Sequence, residues 1–130
     1  MSHENVQIAR RGVEAFKAGD WDTMASVWDP QILIRTDPQW PEQGVYGREM
    51  AIAWARGIRD AGGGDIQIED AIDCGDRVLL VLDWAMRGER SGVESDTRYA
   101  QIVTIRSQRV VMLEMFLDPE QARSAVGSES

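Results

Sequence analysis

The chain has 130 residues, 43% of them hydrophobic and 28% charged, with a formal net charge of -8, which fits one water-exposed domain around a single core. The acidic balance argues against nucleic acid, whose phosphates attract lysine and arginine patches, and against anionic membrane surfaces. One cysteine and one histidine exclude an internal disulfide framework and leave no usual Cys/His metal site, so neither metal nor cofactor is expected.

In chain order, residues 3–18 read as a helix, with Val6, Ala9, Val13 and Phe16 at helical spacing and Ser2 as its cap. Gly19 supplies the stop, and Asp20 caps a second short helix that turns Trp21, Met24, Val27 and Trp28 inward and ends at Asp29-Pro30. Gln31 to Thr36 reads as a short strand. Residues 37–47, punctuated by Pro38, Pro41, Gly44 and Gly47, read as loop. A third helix spans 48–60 with Met50, Ala51, Trp54 and Ile58 on one face, and "AGGG" at 61–64 breaks it.

From residue 65 the period changes to two. Strands are expected at Asp65–Asp73, Val78–Arg87, Arg98–Arg106 and Val110–Leu117. "CGDR", the polar "GERSGVES" and "RSQR" connect them as hairpins. Asp118-Pro119 opens a last short helix through about Val126, followed by a frayed tail at 127–130. Helices first and a strand meander afterwards mean α+β, with helices on one face of a mostly antiparallel sheet. The whole chain, 1–130, is one domain with its core at about 4–126. No run spans a bilayer and the N-terminus has no apolar signal-peptide core, so a cytoplasmic protein is expected.

Long strands joined by hairpins curl, and three helices across the hollow leave an apolar pocket. Five tryptophans supply flat walls for it. Trp54 and Trp84 are candidates for holding a flat ligand, and core filling is the competing role for each. On the last strand, both Leu113-Met115-Leu117 and Met112-Glu114-Phe116 are largely apolar, as in a strand buried on both faces.

"VEAFKAGDWDTMASVWDPQILI", "GVYGREMAIAWARGI", "DCGDRVLLVLDWAMRG" and "RVVMLEMFLDPEQARSAV", in that order, resemble the SnoaL-like proteins of the nuclear-transport-factor-2-like (NTF2-like) superfamily, from about Glu4 to Val126. The resemblance implies a cone-shaped α+β barrel and a homodimer joined through the outer face of the sheet. That would put Glu114 in the interface and Leu113, Met115 and Leu117 on the pocket side. Ketosteroid isomerase belongs to this superfamily and uses an aspartate base with a tyrosine and a protonated aspartic acid as oxyanion donors.

Carried over position by position, Asp37 before Pro38 matches the base. The helix tyrosine falls at Gly12, and the second acid falls at Gln101 or Ala100. Epoxide-hydrolase chemistry would need an Arg-x-Asp beside Asp83, and scytalone-dehydratase chemistry a histidine beyond His3. The implied function is binding of a small hydrophobic molecule. Cofactor-free isomerisation or cyclisation would then use Asp37 as base and Gln101 and Tyr99 as oxyanion donors, with Trp54, Ile58, Leu80, Leu82, Trp84, Leu113, Met115 and Leu117 around the apolar body. The alternative is a binding or dimerisation module without catalysis. Strand alternation itself groups Asp37 with Leu33 and Arg35, opposite Ile32 and Ile34. It therefore leaves open whether Asp37 is a base or a turn residue.

Overall fold

The computed structural model describes residues 2–37, 44–61, 65–87 and 94–127. Residue 1 and residues 38–43, 62–64, 88–93 and 128–130 lie outside the described residues, and with them most of the expected loop at 37–47, most of the "GERSGVES" connection and the expected frayed tail.

Helix α1 (Ser2–Ala18) ends at Gly19, whose φ of 67° only glycine adopts without cost. Arg59 closes that end, its Nε and Nη2 donating to the Phe16 and Lys17 carbonyls at 3.1 Å each. Helix α2 (Trp21–Val27) is capped as expected, the Asp20 carboxylate accepting from the Thr23 N–H at 3.1 Å. It stops at Val27, one residue before Trp28 enters the sheet, and Arg48 donates to the Ala25 carbonyl near its end. Strand β1 (Trp28–Arg35) therefore contains Asp29-Pro30, which the sequence suggested as a helix end. A proline is tolerated there because the register of β1 shifts between Trp28 and Leu33, so no ladder donor is required.

Strand β2 (Gly44–Tyr46) lies inside what reads as loop; three residues carry no legible period. Helix α3 (Arg48–Asp60) buries Ala51 and Ala55, whose short side chains let it approach the sheet, while Met50, expected inward, is 64% exposed. The strands β3 (Asp65–Cys74), β4 (Arg77–Arg87), β5 (Glu94–Arg106) and β6 (Arg109–Phe116) follow. The turn between β5 and β6 holds Ser107 and Gln108 at φ 51° and 66°. Helix α4 (Pro119–Gly127) begins where Asp118 accepts from the Glu120 N–H.

The sheet order is β2-β1-β6-β5-β4-β3, antiparallel throughout except for the parallel pair β1–β6. Register shifts in β1, in β3 at Ile68/Asp70 and across β5–β6 near Thr104/Ile105 are the bulges that bend such a sheet. It stays open, with β2 and β3 as its edges. This is the α+β arrangement expected from the sequence.

The two faces are covered differently. Val78, Leu80, Leu82 and Trp84 of β4, with Tyr99, Val103 and Ile105 of β5 and Ile32 and Ile34 of β1, form one core with α1, α2 and α3. The opposite face is not left to solvent. Leu79, Ala100 and Ile102 are sealed there by Ala122, with Phe116, Ala125 and Val126 around them. Helices on one face therefore describes α1–α3 only, because α4 takes the other. Among the described residues no helix is long and apolar enough to cross a membrane.

Candidate functional site

Strand register builds one wall of a cavity on the concave face. Gln101 pairs with Leu80 on one side and Met115 on the other, and Val103 pairs with Leu113, which pairs in turn with Ile34 of β1. Alternation then sends Tyr99, Gln101 and Val103 inward beside Leu113 and Met115. Gly12, Val13 and Phe16 of α1, Met24 of α2 and Trp54, Ala55 and Ile58 of α3 close the opposite side, with Trp28 and Trp84 at the walls. The space between them is about 650 Å³, counted with its open mouth.

Seven of the expected site residues meet here: Trp54, Ile58, Trp84, Tyr99, Gln101, Leu113 and Met115. Leu80 and Leu82 do not face the open space. They are fully buried in the filled part of the core, where α1 packs directly over β3 and β4. Leu117 lies beyond the end of β6 and is not in the cavity wall.

Asp37 is not in that wall either. It is 4% exposed, and its Oδ2 accepts a hydrogen bond from the Leu117 N–H at 3.0 Å. The strand alternation that points it outward stops applying at Arg35, where β1 ends. Thr36 and Asp37 are then buried in succession, which a one-sided strand cannot do. The carboxylate thereby ties the end of β1 to the start of the β6–α4 connection. Glu114, expected in a subunit interface, has Arg35 of its own chain at 4.0 Å.

The polarity of the cavity is sparse and uncharged. Among its described lining residues none is Asp, Glu, Lys, Arg or His, and among all described residues no group of three or more His, Cys, Asp or Glu could hold a metal ion. Tyr99 is 3% exposed, with its ring 5.7 Å from that of Trp84. Burial drives its hydroxyl well above the ordinary tyrosine range, and the hydrogen bond from Gln101 offsets only part of that. At neutral pH it is a phenol that can donate.

Gly12, Trp28 and Met24 are wall residues that the sequence did not single out as ligand contacts. Their signal was present, since Ala9, Gly12, Val13 and Phe16 follow helical spacing. A glycine within an apolar helix stripe marks a gap rather than a contact.

Comparison with known families gives a match to the SnoaL-like domain over residues 9–113. No curated protein matches the chain. Among solved structures, an NTF2-like protein from Burkholderia xenovorans LB400 superposes with a TM-score of 0.76 at 20% identity, covering 97% of this chain and 98% of that one. A candidate SnoaL-like polyketide cyclase from Jannaschia sp. CCS1 gives 0.78 at 20% identity over 97% and 93%. A hypothetical protein with a ketosteroid isomerase-like fold from Catenulispora acidiphila DSM 44928, in complex with trimethylamine, gives 0.73 at 12% identity over 84% and 83%. At these identities the likeness is one of fold, and function has to be argued from the site.

Proposed function

The chain belongs to the SnoaL-like family, and from that premise we propose that its cavity binds a small, mainly apolar molecule without transforming it. The observation that carries this reading is the composition of the wall: apolar and aromatic side chains around the Tyr99–Gln101 pair, with no charged group among the described lining residues. Burying the apolar body of a ligand there gains about 25 cal/mol per Å² removed from water. The few polar atoms fix its orientation.

Proton abstraction in the style of an isomerase or cyclase needs a base facing the bound molecule. Asp37 is the carboxylate suggested by the family, and its Oδ2 is engaged at the Leu117 N–H. In this reading Asp37 is a fastener of the fold. In this reading homodimerisation uses the part of the outer face that α4 leaves uncovered, where Met112 and Glu114 are half-buried. Static light scattering at twice the chain mass supports it, and a monomer at all concentrations removes it.

Calorimetric titration with acetophenone, a neutral aromatic of fitting size, tests the binding reading. Gly12→Leu serves as the cavity-filling control, since a Cβ at Gly12 meets nothing closer than 3.7 Å. Saturable binding by the parent and its loss in the filled variant are expected. Equal binding by both proteins would place the ligand elsewhere.

A further inference from the structure

Trp28 opens β1 with its ring in the cavity wall and 5% of its surface exposed. An indole N–H can only donate. Trp28 takes part in a hydrogen bond through its carbonyl, which accepts from Arg48, and no bond from its indole nitrogen occurs among the described residues. Yet no described side-chain nitrogen or oxygen that is sealed from solvent lacks a partner. Together these facts set Nε1 against open space, and the open space at this side chain is the cavity.

Gly12, in the middle of α1, stands across from it. A Cβ built on Gly12 would lie 3.7 Å from Trp28 Nε1 and 3.9 Å from Val27 Cγ1. Those are ordinary contacts, and Gly12 is not among the residues with positive φ. Neither sterics nor backbone conformation requires glycine there, although glycine weakens a helix interior relative to alanine. Its effect is to leave room in front of the indole N–H.

We infer that Trp28 Nε1–H, uncovered by Gly12, is the donor that orients the bound molecule, and that this molecule is neutral and presents a carbonyl-type oxygen to it. The inference rests on the cavity being a ligand site. A donor-only group calls for an acceptor. A charged ligand would lose its hydration against a wall with no opposite charge among its described residues.

The test compares acetophenone with α-methylstyrene, in which a CH2 group replaces the carbonyl oxygen, on the native protein labelled with 15N at the tryptophan indoles. The indole signal absent from Trp28→Phe should move downfield with acetophenone and stay in place with α-methylstyrene. Trp28→Phe should shift the ratio of the two dissociation constants against acetophenone by about fivefold, the worth of one net hydrogen bond. Gly12→Ala should melt higher than the parent and show a smaller indole response. If both probes bind with identical indole shifts and the ratio in Trp28→Phe stays within twofold of the parent's, the donor role is overturned while the cavity reading stands. If neither probe binds, the cavity reading fails first.

Discussion

Replacing Asp37 with alanine removes the acceptor that holds the Leu117 N–H at 3.0 Å, at a residue that is 4% exposed. A hydrogen bond to a charged group contributes about 1.5–3 kcal/mol, and a buried donor left without a partner forfeits most of that. The expected loss for Asp37→Ala is therefore about 2–3 kcal/mol. With a urea m-value of roughly 1–3 kcal/mol/M for a small domain, the unfolding midpoint should fall by about 0.7–3 M. Asp37→Asn keeps an oxygen that can accept from Leu117, so its loss should be less than half that of alanine. Acetophenone affinity, measured on folded protein, should be unchanged in the asparagine variant. If Asp37→Ala unfolds within 0.5 kcal/mol of the parent (roughly the noise of surface substitutions), the fastening role is wrong. Loss of ligand binding in Asp37→Asn at full stability would return this carboxylate to the site.

Two further outcomes follow from the geometry. Because burial raises the Tyr99 hydroxyl above its ordinary value of 10.0, the folded chain keeps that proton after the unfolded chain has released it. Its contribution to stability is whole below pH 10 and is lost as pH rises above 10, at about 1.4 kcal/mol per pH unit. Denaturant titrations at pH 9, 10 and 11 should show this slope in the parent and its absence in Tyr99→Phe. In the β5–β6 turn, Ser107 and Gln108 both hold positive φ, so Ser107→Asn with Gln108→Gly should raise stability by about 0.5–1 kcal/mol. A thermal melt no higher than the parent's would mean the turn carries no strain.

How much of this was legible in the sequence varied with the length of the signal. Helices α1 and α3 and strand β4 are long enough for their periods to stand out, and Gly19 and Asp20 mark a helix boundary by known cap chemistry. The three residues of β2 give no period to read. Asp29-Pro30 looks like a helix stop because proline usually is one, and only the irregular pairing of β1 explains its place in a strand. The apolar outer positions of β6, with the family resemblance, suggested a second copy. Part of that apolar surface is covered by α4, a partner that strand alternation alone cannot identify.

Within the site, side-chain direction was readable on β5, whereas on β6, apolar on both faces, the family resemblance supplied it; Tyr99, Gln101, Leu113 and Met115 share the cavity. Which buried positions face empty space and which face filled core depends on where the helices cross the sheet. Leu80 and Leu82 were therefore indistinguishable in advance from Trp84. Asp37 was ambiguous because periodicity ends at the last residue of a strand.

The most direct measurement of the central claim uses the methionines. Met24 and Met115 line the cavity, Met112 points to the outer face and Met50 is 64% exposed on α3. In a methyl-resolved NMR titration of the 13C-methionine-labelled protein with acetophenone, the Met24 and Met115 methyls should shift saturably while those of Met50 and Met112 stay in place. Shifts confined to Met50 or Met112, or none at saturating acetophenone, would contradict a ligand site between the helices and the concave face of the sheet.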